Sequence, residues 1–156
     1  MECLLSYIEF TQYQHYLINN FINELDEDIV NKLNLVSFPS NVPISSIIST
    51  KQMDDNDVEN SVSENKIKAF KLYKKYIKCE SEHEINISYE MRKNLDDIFG
   101  NVDNLINKYT NINNNDLLKC FNDCKEAMQI LMLSSFNRFK QSDEFIQVQQ
   151  IFNADL

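Results

Sequence analysis

Apolar positions recur at helical spacing along most of the chain. Between residues 2 and 35, Tyr7, Phe10, Leu17 and Phe21 form one stripe, widened by Leu4 and Ile8. Asn19-Asn20 and the acidic run Asp26-Glu27-Asp28 interrupt it, which predicts a break and a short second helix over 29–35. Pro39 and Pro43 push the residues before them out of the helical region. Residues 37–64 are rich in Ser, Asp and Asn, with Ile44, Ile47 and Ile48 following no sustained period. That stretch reads mostly as a long insertion loop. A clear helix follows over 63–79, with Ser63 as its N-cap. Its stripe is Ile67, Phe70, Tyr73 and Ile77, flanked by Ala69, Leu72 and Tyr76.

After a polar linker, Ser88 is placed to cap a short helix from Tyr89 to Phe99, closed by Gly100. Residues 101–116 are Asn-rich and read as a loop, or as a weak helix around Leu105-Ile106. Asp116 is the expected cap of the strongest helix in the chain. There Leu117, Phe121, Cys124, Met128 and Leu131 alternate at four and three residues, a heptad stripe. A last helix, starting at Ser135 or Asp143 and reaching Phe152, carries Phe136, Phe139, Phe145 and Val148. With helical patterns throughout and no internal repeat, the expected fold is all-α. It is a single-domain helical bundle over 1–156, with loop insertions at 37–64 and 101–116.

Composition narrows the function classes. The 156 residues are 43% apolar, enough for a real core. One glycine and two prolines leave few turns for a β-sandwich, and the lone Gly100 cannot make a phosphate-binding loop. A net charge of −9 disfavours nucleic acid and anionic membrane surfaces as direct partners. The one basic patch is Lys66, Lys68, Lys71, Lys74, Lys75 and Lys78, which reads as a solvated face or as a dock for an acidic partner or lipid. Cys3, Cys79, Cys120 and Cys124 make no disulfide framework, and no CxxC or HxxxH pair supports zinc. The opening Met1-Glu2-Cys3 has no basic n-region, and no apolar run approaches membrane-spanning length. The expectation is a cytoplasmic protein with reduced thiols, no transmembrane segment and no metal or cofactor. His15 and His83 have no motif around them, and no nucleophile, base and orienting acid can be assembled.

Three separated segments resemble one family, the RGS domain of the regulators of G-protein signalling. The run Glu2-Cys3-Leu4-Leu5-Ser6-Tyr7-Ile8-Glu9-Phe10 is similar to the acidic-Asn-apolar-apolar-aromatic segment opening that family's fourth helix. Ala69 through Ile77, then Glu84-Ile85-Asn86-Ile87-Ser88, resemble its fifth helix and the Val-Asn-Leu loop leading to a sixth helix that here contains Arg92. Cys120-Phe121-Asn122-Asp123-Cys124, Leu131-Met132 and Phe136-Asn137-Arg138-Phe139-Lys140-Gln141-Ser142 resemble the Phe-Asp-x-Ala-Gln, Leu-Met and Ser-Tyr-x-Arg-Phe-x-x-Ser run of its last helices. Together they cover about half the chain, in the family's order. The family's first helices have no counterpart, so Phe136, Phe139, Phe145 and Phe152 are expected to lack their usual partners.

The resemblance implies a partner, a Gα subunit, and a role as activator of its GTP hydrolysis rather than as an enzyme. Gα already carries its arginine and its water-orienting glutamine. The family holds the switch regions in the transition-state arrangement, so acceleration arises from differential binding. Carried over position by position, the contact residues are Glu2, Cys3, Asn86, Leu131, Ser134 and Arg138. Asn86 would reach the switch and the active-site glutamine, since an amide both donates and accepts hydrogen bonds. Cys3 stands where the family has an Asn, and Ser134 where it has an Asp, reached through a one-residue deletion that turns the helix end by about 100°. A non-catalytic RGS-like scaffold remains the alternative function. The family also implies recruitment to the inner face of the plasma membrane.

Overall fold

The computed structural model describes residues 2–33, 42–49, 64–100 and 112–154. Every regular element among them is helical, and together they form an all-α bundle. Helix α1 spans Glu2–Phe21 and passes through a 3-10 turn, Ile22–Glu24, to α2, Glu27–Lys32. Asp26 caps α2, its side chain accepting from the Asp28 N–H at 2.9 Å, so the helix begins earlier than the apolar pattern suggested. A one-turn helix α3, Ser46–Ser49, lies inside the stretch expected to be loop. Ile47 and Ile48 pack against the core there. The rest of that loop, 34–41 and 50–63, and the Asn-rich 101–111 lie outside the described residues.

Helices α4 (Glu64–Tyr76), α5 (Tyr89–Phe99) and α6 (Asn114–Phe139) complete the bundle with α1, and α7 (Asp143–Ala154) follows. Direction follows from the contacts. Glu9 on α1 meets Lys75 and Tyr76 late on α4, whereas Tyr13 meets Asn65 at its start. Glu24 bonds Asn114 at the start of α6, while Gln14 reaches Asn122 and Lys125 further along it. Tyr73 bonds Asp96 on α5, and Ile77 meets Arg92. Sequential helices therefore alternate in direction, with α4 and α6 each packed between α1 and α5.

The heptad stripe of α6 behaves as expected over most of its length: Leu117, Phe121, Cys124 and Met128 are fully buried. Phe121 is the hub, its ring 5.1 Å from Phe10, 5.3 Å from Tyr13 and 6.3 Å from Phe99. One cap and one buried face differ from the sequence reading. Asn113, not Asp116, caps α6, accepting from the Asp116 N–H at 2.8 Å. On α4 the expected flank, Ala69, Leu72 and Tyr76, is the centre of the buried face, while Ile67 and Phe70 are only half-buried. The Ser63 cap lies outside the described residues.

The lysine patch on α4 is not continuous. Lys68 is buried, bonded to Glu64 and to the Ile48 carbonyl and placed over the Tyr16 ring. Lys75 turns inward to Glu9, leaving Lys71, Lys74 and Lys78 exposed. At the C-terminus of α5, Gly100 keeps an ordinary right-handed conformation, and glycine is needed there for close approach: a Cβ would lie 2.5 Å from the Asp96 carbonyl oxygen. Among the described residues no helix is long and apolar enough to cross a membrane.

Candidate functional site at the α4–α5 loop end

The antiparallel packing gathers the start of α1, the loop 77–88 and the second half of α6 at one end of the bundle. All six residues carried over from the family resemblance belong to these three pieces. Asn86 is the best-defined. Ile85 and Ile87 are both buried and Asn86 between them is exposed, at the centre of a tight turn in which the Ile87 N–H donates to the Ile85 carbonyl at 3.2 Å. The loop is braced from several directions. The Ile85 N–H donates to the Tyr76 carbonyl at 2.8 Å. The Arg92 guanidinium donates to the carbonyls of Ile77 and Ile85 and pairs with Glu84 at 3.0 Å. Glu84 also accepts from the Glu80 N–H at 2.9 Å, where Glu80 holds a left-handed φ of 64°. Ser88 caps α5, accepting from the Met91 N–H at 3.2 Å. Asn86 is thus a polar side chain held out to solvent on a fixed backbone, the condition a recognition residue needs.

Glu2 and Cys3 begin α1. Glu2 is exposed, and its carboxyl is held below the usual carboxylate range, chiefly by backbone N–H bonding at the helix start. The His83 ring lies 6.3 Å from that of Tyr76, tilted by 44°. Cys3 is half-buried against the core, and its carbonyl accepts from Ser6. Beneath this end Glu9 is a tie-point: its carboxylate accepts from Lys75 and Tyr76, each at 2.8 Å, and from Ser45 at 2.9 Å. Burial, reinforced by Glu9, pushes the Tyr76 hydroxyl well up, so it remains a donor.

On α6, Leu131 is half-buried against the core, while Ser134 and Arg138 are exposed. Arg138 donates to the hydroxyls of Ser134 and Ser135, each at 3.2 Å, so these residues form one polar stripe rather than an internal ion pair. A direct bond joins two of the six residues, Arg138 to Ser134.

Sequence reasoning missed the residues that brace this end. Arg92, Glu84 and Glu9 fall inside the segments of family resemblance but were given no role, because their partners lie on other elements. Deeper in the bundle Lys125 is buried and donates to Gln14 at 2.7 Å, and burial lowers its pKa. A cleft of about 240 Å³ between α5 and α6 is lined by Met91, Leu95, Ile98, Cys120 and Cys124, among others. Burial pushes Cys120 up to about 11 and Cys124 to about 12, so both remain thiols at neutral pH and are poor nucleophiles or metal ligands. No group of three metal-ligating side chains occurs among the described residues. No family model, curated protein or solved structure matches the chain.

Proposed function

We propose that this protein binds the switch regions of a Gα subunit and accelerates its GTP hydrolysis through the end of the bundle that carries Asn86. The single observation behind this reading is the display of Asn86. It is an exposed amide between two buried isoleucines, on a loop braced by Arg92, at the same end as Glu2, Cys3 and the Ser134–Arg138 stripe. A rigid amide can bond a glutamine side chain and a backbone group at once without adding charge. Such contacts, worth about 1.5–3 kcal/mol when one partner is charged, accelerate hydrolysis if they form only with the transition-state conformer. The reading implies a cytoplasmic protein drawn to the inner face of the plasma membrane by its partner.

The alternative, an RGS-like scaffold without GTPase-activating power, is favoured by one feature. Cys3 offers a thiol where the resemblance calls for an amide, and its side chain is half-buried against the core. The discriminating experiment is binding to purified Gα in three states: GDP, GDP with aluminium fluoride, and a non-hydrolysable GTP analogue. Preference for the aluminium fluoride state supports activation. Equal affinity for all three supports the scaffold. No binding in any state removes Gα as the partner.

A further inference from the structure

Helices α5 and α6 present two matching faces that do not fill the space between them. On α5 the residues lining the cleft are Met91, Asn94, Leu95 and Ile98, and on α6 Asp116, Lys119, Cys120, Asp123 and Cys124. Both sets follow the spacing of three, four and seven residues that places side chains on one side of a helix. Leu95 and Cys124 are buried and form the floor, while Met91, Ile98 and Cys120 are half-buried walls. Asn94, Asp116, Lys119 and Asp123 are exposed and form the rim. Cysteine is short, so positions 120 and 124 leave a gap that longer apolar side chains would close. Both thiols are neutral at pH 7, so floor and walls carry no charge.

We infer that this cleft binds a small amine carrying one aromatic ring, with the ring between the helices and the ammonium at the Asp116–Asp123 rim. Size, lining and charge each select that occupant. The cleft measures about 240 Å³. A cavity of about 150 Å³ holds benzene, so one ring with a short chain fits here. A drug-sized ligand, which needs about 300 Å³ or more, does not. The Met91 thioether gains from contact with a ring edge, and the two small, polarisable cysteines leave room for one, which favours an aromatic body. At the rim two carboxylates outnumber the single ammonium of Lys119. Among the described residues neither Asp116 nor Asp123 stands in an ion pair, with Lys119 or with any other cation. Partial burial, with Glu126 beside it, raises the Asp123 carboxyl above its ordinary value, as the mouth of an apolar cleft dictates for a carboxylate without a cation. An incoming ammonium supplies that cation, whereas an anionic ligand meets two carboxylates. None of the six proposed Gα-facing residues lines the cleft, so the two sites can be tested separately.

The test is an amide NMR titration of the full chain, under reducing conditions, with phenethylamine, which is protonated at neutral pH. Phenethyl alcohol, its neutral counterpart of equal size, is titrated in parallel. The expected result is saturable shifts at the amides of Leu95, Ile98, Cys120 and Cys124, with a Kd of about 1 mM or tighter for a ligand of about nine heavy atoms. The alcohol with wild-type protein, and the amine with Asp123→Asn, should each bind at least about five-fold more weakly. Cys120→Phe, which fills the cleft, should remove the saturable shifts with unchanged far-UV circular dichroism. Because Asp123 is exposed, Asp123→Asn keeps the test decisive if Cys120→Phe does not fold. No saturable shift up to about 10 mM amine overturns the proposal, a ceiling about ten-fold above the expected Kd. Shifts centred outside the cleft, equal affinity for the alcohol, or an affinity indifferent to Asp123→Asn overturn it as well.

Discussion

The two halves of α6 carry the same apolar periodicity and meet opposite fates. In the first half Phe121 is enclosed by Phe10, Tyr13 and Phe99, rings from two other helices. In the second half Phe136 and Phe139 stand with about half their surface in water. A period of 3.6 residues specifies only that a helix has an apolar side. Whether that side becomes core depends on what the fold brings against it. The polar residues follow the same division: Glu9 and Lys125 are buried and hydrogen-bonded in the packed half, whereas Ser134 and Arg138 bond one another in the open half.

The widest gap between the halves should appear in stability. Phe121→Ala is expected to cost about 3–5 kcal/mol, because it opens a cavity among three rings. Phe136→Ala should cost less than about 0.5 kcal/mol. Urea midpoints for the two variants check this, and equal costs would break the comparison. Next in size is Arg92→Ala, expected to cost about 2–3 kcal/mol by orphaning two carbonyls and Glu84 at the loop. Amide exchange at Ile85 and Ile87 should accelerate in that variant, whereas Asn86→Ala should leave exchange and stability almost unchanged.

Alkaline pH sharpens the comparison further. The Cys124 thiol is raised from 9.0 to about 12 in the folded protein, so its contribution is fully present below pH 9 and is lost as pH rises toward 12. Between pH 9 and about 10.5 this amounts to a loss of about 2 kcal/mol. The fall in stability should be visibly shallower in Cys124→Ala. The smallest expected effect is kinetic: under native conditions iodoacetamide should modify exposed Cys79 first and buried Cys124 last.

Much of the fold was legible in the sequence. The α6 stripe named five residues from spacing alone, of which four are fully buried and Leu131 half-buried, and Ser88 and Gly100 bounded α5 because capping chemistry is local. The centre of the α4 face was misplaced because Ala69 and Tyr76 rank low as apolar markers, although their positions make them core. The cap of α6 fell on Asn113 rather than Asp116 because both can accept from a helix N–H, and the Asn114 contacts with Glu24 and Asn65 decide where the helix starts. The candidate site was legible only in its outward residues. Asn86 could be singled out by family resemblance, whereas Arg92, Glu84 and Glu9 act through partners up to 67 positions away and leave no local pattern. The continuity of the lysine patch failed for the same reason, since Lys68 and Lys75 are claimed by distant acceptors.

The most direct measurement is single-turnover GTP hydrolysis by a Gα subunit, with wild-type protein and with Asn86→Ala in parallel. The expected result is a faster turnover with the wild type and a loss of at least about ten-fold of that stimulation in the variant, with the fold intact by circular dichroism. A Gα subunit that binds the protein yet hydrolyses GTP at its intrinsic rate, or a stimulation indifferent to Asn86→Ala, would contradict the assignment of this end of the bundle to GTPase activation.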